Sequence, residues 1–328
     1  MTDLPTPAKP SRAKSVVRIV GLVVALVLCV AFLVPRAGDI ADAFTRQDPW
    51  TLVAALLTGA AATFVTFLSW RALMHGAGHR IPFRAAQRVF FLSQIGKYVP
   101  GSVWPIVAQA DLGREHRVPA AQSVAVGMLT LLVSCGAGVS VAALTIPFVQ
   151  PDAFAHYWFV VLLVPVVLAA LHPAVLRFGL RLASRVTRRD LGTVELRTAA
   201  VVRAFGWAVL AWVVFGLHIA LVLVPLASVD LRVTTLTVGA YALAWLVGFL
   251  VFFLPAGLGG REAVLTALLA AGVPLGSSAS VSVAVTSRVL LTVVDVVFAG
   301  AAVVGERRRR AGIDAGSASV GSGEGPTP

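Results

Sequence analysis

Long apolar runs recur through most of this chain, and they limit its possible folds more than any other feature. A helix that crosses a membrane needs ~20 predominantly apolar residues. The segments that approach or meet this length are residues 16–34, 50–70, 120–149, 156–171, 201–226, 234–254 and 279–304. Because hydrocarbon offers no partner to a free backbone N–H or C=O group, each run is predicted to be a helix. The predicted fold class is therefore all-α, a polytopic transmembrane helical bundle.

The composition supports a membrane protein and argues against several other classes. The chain is 58% hydrophobic and only 13% charged, which is too apolar for an ordinary soluble domain. Its net charge of +12 is that of many nucleic-acid-binding proteins, but the arginines lie in short loops beside apolar runs, where membrane orientation explains them. We therefore expect no nucleic-acid partner. Cys29 and Cys135 lie within apolar runs, and no Cys or His spacing resembles a zinc site, so no metal or other cofactor is expected.

The basic residues predict which ends of the helices face the cytoplasm. Arg12 and Lys14 precede the first run, and the loop at residues 172–198 carries six arginines. Cytoplasmic loops are enriched in such residues, so both segments are predicted to be cytoplasmic. The loops at residues 36–49 and 150–155 contain aspartates and are predicted to face outward.

The number of crossings follows from the far end of the chain. Seven crossings from a cytoplasmic start would leave the carboxyl terminus outside, yet residues 307–310 are all arginine. Residues 255–276 are therefore predicted to supply an additional crossing, broken at GLGG, which gives about eight; the alternative is a re-entrant hairpin and an outside carboxyl terminus. Residues 81–111 are predicted to re-enter from the cytoplasm. The predicted domains are a disordered cytoplasmic tail at residues 1–15, a transmembrane domain at residues 16–306, and a basic, then disordered, cytoplasmic tail at residues 307–328.

The first broken segment, SQIGKYVPGSVW at residues 93–104, combines polar side chains with Gly and Pro inside an apolar chain. Lys97 stands out because the other lysines, Lys9 and Lys14, are both in the amino-terminal tail. A membrane-depth ionisable residue beside broken backbone is a functional candidate. We predict a cradle for a lipid headgroup formed by Gln94, Lys97, Tyr98, Pro100, Gly101 and Trp104. The alternative is that Lys97 snorkels to the surface and the aromatic rings anchor the interface.

The second broken segment places charged residues directly after glycines that let a ligand or another helix approach the backbone. Its candidate binding residues are Gly257, Gly259, Arg261 and Glu262. The last run adds Arg288 and Asp295, which are nearly in line on a helix and are predicted to point inward. The alternative for all four charged residues is mutual neutralisation within the bundle. No paired carboxylates or Ser-His-Asp set suggests a catalytic centre, so we expect no enzyme.

Taken together, QIGKYVPGSVW at residues 94–104 and PAGLGGREA at residues 255–263 resemble the lysylphosphatidylglycerol synthase transmembrane, or flippase-like, family. In two-domain members of that family a soluble domain adds lysine to phosphatidylglycerol, and the membrane part moves the product between leaflets. The resemblance covers the membrane part alone, so the synthase activity is not implied here. It implies substrate contact at Lys97, Pro100, Gly101, Gly257, Gly259 and Glu262.

These observations combine into one expected function and one alternative. The chain is expected to bind a polar-headgroup phospholipid or glycolipid and to flip it between leaflets of the plasma membrane, with both termini in the cytoplasm. The alternative is a membrane scaffold or regulator that partners a lipid-modifying or glycosyltransferase enzyme.

Overall fold

The computed structural model of the chain describes residues 48–99, 103–149, 161–172, 174–176, 178, 197–250, 257 and 259–321, with the backbone alone for residues 307–321. Every regular element within these ranges is a helix. In chain order the helices are α1 (Pro49–Gly76), α2 (Phe83–Gln94), α3 (Trp104–Arg114), α4 (Ala120–Val149), α5 (Leu163–Ala170), α6 (Thr198–Leu223), α7 (Leu231–Leu250), α8 (Gly260–Gly272) and α9 (Ser277–Gly321). A short 3-10 turn, Ile95–Tyr98, directly follows α2.

Five of these helices are long and apolar enough to cross a membrane, among the residues that the structure describes. They are α1, α4 as far as Pro147, α6, α7, and α9 as far as Glu306. Each corresponds to one of the predicted apolar runs, so the all-helical membrane fold is confirmed. The run predicted at residues 16–34 lies outside the described residues. Residues 156–160, at the start of the run at 156–171, also lie outside them. The total of eight crossings stays a prediction.

Polar residues at the helix starts explain why two of these helices begin before their apolar runs do. Asp48 accepts a hydrogen bond from the backbone N–H of Thr51 at 3.1 Å, and Pro49 occupies the first turn, where its missing N–H is not needed. Asp230 accepts a bond from the N–H of Val233 at 2.8 Å at the start of α7. Each carboxylate stabilises a helix start that hydropathy alone does not predict.

The two predicted broken segments are short helices that pack inside the bundle. With 12 and 11 residues, α2 and α3 rise roughly 18 and 16 Å at 1.5 Å per residue, well short of the ~30 Å hydrocarbon core. Helix α8 has 13 residues and rises roughly 20 Å. None of the three can span a membrane alone. The re-entrant path of residues 81–111 and the broken crossing at residues 255–276 both stay predictions.

Aromatic packing holds the first broken segment against the bundle. Phe67 of α1 has its ring centroid 5.6 Å from that of Phe90 and 5.4 Å from that of Phe91, both on α2. All three rings are buried, and Phe91 also lies 4.5 Å from Phe298 of α9. Helix α2 is thereby fixed between α1 and α9, which positions the 3-10 turn that follows it.

The last helix differs from its predicted extent. It was expected to end at residue 304, with disorder beyond the arginines, but the backbone stays helical as far as Gly321. Four arginines and three alanines, both strong helix formers, follow Glu306, but three glycines stand among them, so helix propensity alone does not explain the continuation.

Candidate functional site

A cavity of about 250 Å³ lies between the two broken segments, enclosed by residues from most of the helices. Its lining includes many of the predicted binding residues: Gln94, Lys97, Tyr98, Gly257, Arg261, Arg288 and Asp295. The first three belong to the end of α2 and the 3-10 turn, the next two to the second broken segment, and the last two to α9. The fold therefore brings the separate segments selected from the sequence to one place.

Lys97 forms an ion pair across the cavity with the last helix. Its Nζ lies 2.7 Å from Oδ2 of Asp295, and the phenol of Tyr98 donates to the same oxygen at 2.6 Å. The Asp295 side chain is only 3% exposed, whereas that of Lys97 is 36% exposed. The carboxylate is therefore a fixed, buried anchor, and the ammonium group remains open to the cavity.

Glu262, a predicted binding residue, faces α9 and does not line the cavity, so its contact with substrate stays a prediction. Its Oε1 accepts a hydrogen bond from Nη1 of Arg288 at 3.1 Å, and its Oε2 accepts one from the backbone N–H of Gly259 at 2.7 Å. Both side chains of the ion pair are 10% exposed. Glu262 thus caps α8 and joins it to α9, as the alternative of mutual neutralisation proposed.

Arg261 is a cation of this cavity that contacts the aromatic ring of Tyr241 on α7. Its Nη2 donates to the hydroxyl of Tyr241 at 2.7 Å, and its Cζ lies 4.5 Å from the centre of the same ring. Tyr241 is fully buried, while Arg261 is half-buried. Within the described part of the chain, no carboxylate lies within ion-pair distance of Arg261. Its remaining N–H donors are therefore not committed to an anion of the protein there.

Close backbone contact explains one of the glycines that precede Arg261. Gly257 has φ +69°, in the left-handed region, and a Cβ at this position would lie 2.8 Å from the carbonyl oxygen of Gly248 on α7. Only glycine meets both conditions without strain. Gly248 in turn lies against Arg261, where an added Cβ would approach the arginine Cβ to 2.8 Å. The two glycines let the second broken segment pack directly on α7.

The charges of the site do not cancel. Lys97, Arg261 and Arg288 are cations, and Asp295 and Glu262 are the carboxylates that face them. Three cations thus face two carboxylates among the described residues, an excess of one positive charge. Such a charge is costly in an apolar environment unless a counter-ion or water accompanies it.

The remaining predicted residues lie elsewhere. Trp104 begins α3 and is half-buried, outside the cavity lining. Gly259 is the residue before α8 and contributes its N–H to Glu262. Pro100 and Gly101 lie outside the described residues, so their predicted contact with substrate stays a prediction.

Several cavity residues were missed by the sequence analysis. Tyr241, one of three tyrosines in the chain, could have been noticed as a polar ring within an apolar run. Thr63, Thr66 and Ser69 line the cavity from α1, and their spacing of three residues places them on one helix face. Gln109 of α3 is buried and accepts a bond from Nε1 of Trp70 at 3.2 Å. Its amide nitrogen remains a donor.

His218 lies outside the cavity lining and ties three helices together. Its Nδ1 lies 2.7 Å from the carbonyl oxygen of Ala55 on α1, and its Nε2 lies 2.9 Å from Oγ of Ser287 on α9. A carbonyl only accepts, so Nδ1 carries the proton and Nε2 accepts from the serine. This is the interhelical hydrogen bonding that a lone membrane histidine most often makes.

Comparison with known families decides the kind of membrane protein. The family described as the lysylphosphatidylglycerol synthase TM region matches residues 18–299. The chain belongs to this family. The match to the lysylphosphatidylglycerol synthase TM region covers four of the five membrane-length helices, α9 as far as residue 299, and both broken segments, so the resemblance drawn from the two motifs is confirmed. Membership identifies a multi-pass membrane protein related to lipid handling. A comparison with curated proteins found no match.

Proposed function

We propose that this protein binds a lipid with an anionic polar headgroup in the cavity between its two broken segments and moves that lipid between leaflets. The observation that carries the proposal is Arg261, a half-buried guanidinium at the cavity that contacts Tyr241 and no described carboxylate. An arginine fork matches the oxygens of a phosphate group, which both phospholipids and many glycolipids carry.

The size of the cavity limits which part of the lipid enters it. A volume of about 250 Å³ is below the ~300–1,000 Å³ typical of sites for whole drug-sized ligands. The headgroup occupies this space, and the acyl chains remain in the hydrocarbon of the bilayer. The hydroxyl, amide and charged groups of the lining replace the water that the headgroup loses, which lowers the cost of its passage.

The two ion pairs take different parts in this mechanism. The Arg288–Glu262 pair is buried and holds α8 to α9, so it maintains the shape of the site. In the Lys97–Asp295 pair the lysine side chain is partly exposed to the cavity, whereas the carboxylate is buried. An arriving phosphate can therefore compete with Asp295 for the ammonium group. The hydrogen bond from Tyr98 keeps Asp295 in place when Lys97 turns to the headgroup.

The orientation in the membrane is part of the same proposal. We place the protein in the plasma membrane with both termini cytoplasmic, because the arginines near each end favour that side. A reporter fused after Arg310 should be active only in the cytoplasm. An external reporter would contradict the eighth crossing and favour a re-entrant segment at residues 255–276.

The direct test is a leaflet assay in reconstituted vesicles. Purified protein is placed in phosphatidylcholine vesicles with fluorescent phosphatidylglycerol, and an external quencher measures the label that reaches the outer leaflet. The unaltered protein should expose label from both leaflets, and Arg261→Gln should slow this by about tenfold or more, the value of one charge-assisted hydrogen bond. The exposed Arg203 on α6 provides a matched control, and Arg203→Gln should leave the rate unchanged.

Two results of this assay would count against the proposal. Equal rates for protein-free and protein-containing vesicles would remove lipid movement as the function. Equal rates for Arg261→Gln and the unaltered protein would remove the cavity as the route. The phosphatidylglycerol should be recovered with its headgroup unchanged, since we propose transport and no turnover.

A further inference from the structure

A second cavity, of about 320 Å³, lies where the loop between α1 and α2 meets the loop between α3 and α4. Its polar lining consists of His79, Arg80, Glu115, His116 and Arg117. It shares no lining residue with the central cavity. Its volume falls within the ~300–1,000 Å³ range of small-molecule sites.

The charge of this loop cavity is positive. Arg80 and Arg117 contribute two guanidinium groups, and both residues are exposed. Glu115 is the acidic member, but Arg88 of α2 binds its carboxylate with both nitrogens, at 2.5 and 3.3 Å. Arg88 is not part of the lining, so it neutralises the acid from outside. The two lining arginines therefore determine the net charge that a ligand meets.

The backbone at Arg117 is held in an unfavourable conformation. Its φ of +59° makes it the one non-glycine residue with positive φ in the described part of the chain. Such a position favours Gly or Asn, and strain of this kind clusters at binding sites. Its N–H bonds to the carbonyl of Arg114 at 3.0 Å, and that of Val118 bonds to Gly113 at 3.2 Å, so the turn after α3 fixes the arginine beside the cavity.

A neighbouring histidine has an unmet polar atom. Nε2 of His116 is buried and has no hydrogen-bond partner among the described residues. Buried polar atoms are normally bonded, so this unmet nitrogen is unusual. On the other side of the cavity, the imidazole of His79 is already held by the side-chain oxygen of Gln122.

We propose that the loop cavity binds a phosphate-type oxyanion, carried either by free phosphate or by a phospholipid headgroup. Arg80 and Arg117 approach it from the two loops and supply paired N–H donors of the geometry that phosphate oxygens accept. Because one arginine comes from each loop, bound anion also links the start of α2 to the end of α3.

A purely topological role for these arginines makes a different prediction. Arginines that only keep a loop on the cytoplasmic side act through total charge, whatever their exact position. Arg84 and Arg114 lie near the same loops, are exposed, and do not line the cavity. The pair Arg84→Gln/Arg114→Gln therefore removes the same charge as Arg80→Gln/Arg117→Asn and leaves the lining intact.

The test is isothermal titration of the full chain in a neutral detergent with two probes. The first probe is sodium phosphate, added against sodium chloride of equal ionic strength, and the second is short-chain phosphatidic acid. Arg80→Gln/Arg117→Asn should weaken binding of at least one probe by about tenfold or more, and the matched control pair should bind like the unaltered chain. Any contribution of the central cavity is common to all variants and cancels in the comparison.

A third variant separates the effect of the arginine charge on binding from the effect of backbone strain at residue 117. Arg117→Lys keeps the charge at the same backbone position, so it should lose less affinity than Arg117→Asn, although asparagine suits the positive φ better. Weakened binding of phosphatidic acid alone assigns the site to a lipid headgroup, and weakened binding of phosphate assigns it to the free anion. Equal affinity of the Arg80→Gln/Arg117→Asn variant and the unaltered chain for both probes would overturn the proposal.

Discussion

Asp295 holds Lys97 and Tyr98 through a single oxygen: Oδ2 lies 2.7 Å from Nζ of Lys97 and 2.6 Å from the hydroxyl of Tyr98. This contact joins the 3-10 turn of the first broken segment to the middle of α9. The carboxylate is buried, but the lysine is partly open to the cavity. One residue thus fixes the segment in place and also competes with any anion that enters.

The first prediction concerns that competition. Asp295→Asn removes the negative charge while keeping an oxygen that can accept from Tyr98. We expect the free energy of unfolding to fall by about 1–2 kcal/mol, since Lys97 is open enough to regain water. Native mass spectrometry should show more phosphatidylglycerol retained than by the unaltered protein. Equal or lower retention would mean that Asp295 does not compete for the headgroup.

The second prediction concerns the buried pair of Arg288 and Glu262. Glu262→Gln keeps an oxygen to accept from Gly259 but removes the carboxylate that faces the guanidinium. Breaking a buried ion pair in this way costs about 3–5 kcal/mol, measured as unfolding in mixed detergent micelles. Adding Arg288→Met should restore at least half of the loss. A Glu262→Gln protein as stable as the unaltered one would show that the pair does not hold α8 to α9.

The third prediction concerns the close contact at Gly257. Gly257→Ala places a Cβ 2.8 Å from the Gly248 carbonyl at a positive φ, so we expect a loss of about 2 kcal/mol or more. Gly206 on α6 has open space at the Cβ position, so Gly206→Ala should be neutral or stabilise by up to about 1 kcal/mol. Both are measured by unfolding in mixed micelles. Similar losses for the two variants would contradict the packing described.

The fourth prediction concerns His218 as a structural residue. His218→Leu leaves the Ser287 hydroxyl and the Ala55 carbonyl without the bonds they now make, so we expect a loss of about 2 kcal/mol in stability. The rate of lipid movement per folded molecule should equal that of the unaltered protein both at about pH 6 and at about pH 8. These two pH values lie on either side of the usual titration of histidine. A stable variant that loses pH-dependent lipid movement would instead identify a proton carrier.

The helices were predictable because hydropathy is a local property. The apolar runs gave the positions of α1, α4, α6, α7 and α9, and the two motifs marked the short helices between them. The helix ends were less predictable, since Asp48 and Asp230 extend α1 and α7 by capping, and α9 continues as far as Gly321 after its apolar run ends.

The partners within the site were harder to predict, because they depend on which helices meet. The sequence places Arg261 beside Glu262, but adjacent residues on a helix do not face each other. In the structure Glu262 turns to Arg288 on α9, and Arg261 turns to Tyr241 on α7. Neither pairing can be read from local spacing, because each depends on a partner from a different helix.

The central claim is that the cavity holds an anionic headgroup at Arg261, and native mass spectrometry of the purified protein tests it most directly. The unaltered protein and Arg203→Gln should retain phosphatidylglycerol from a mixture with phosphatidylcholine. Arg261→Gln should lose most of that retention, and Lys97→Ala part of it. Equal retention by Arg261→Gln and the unaltered protein, or no selective retention by either, would contradict the account.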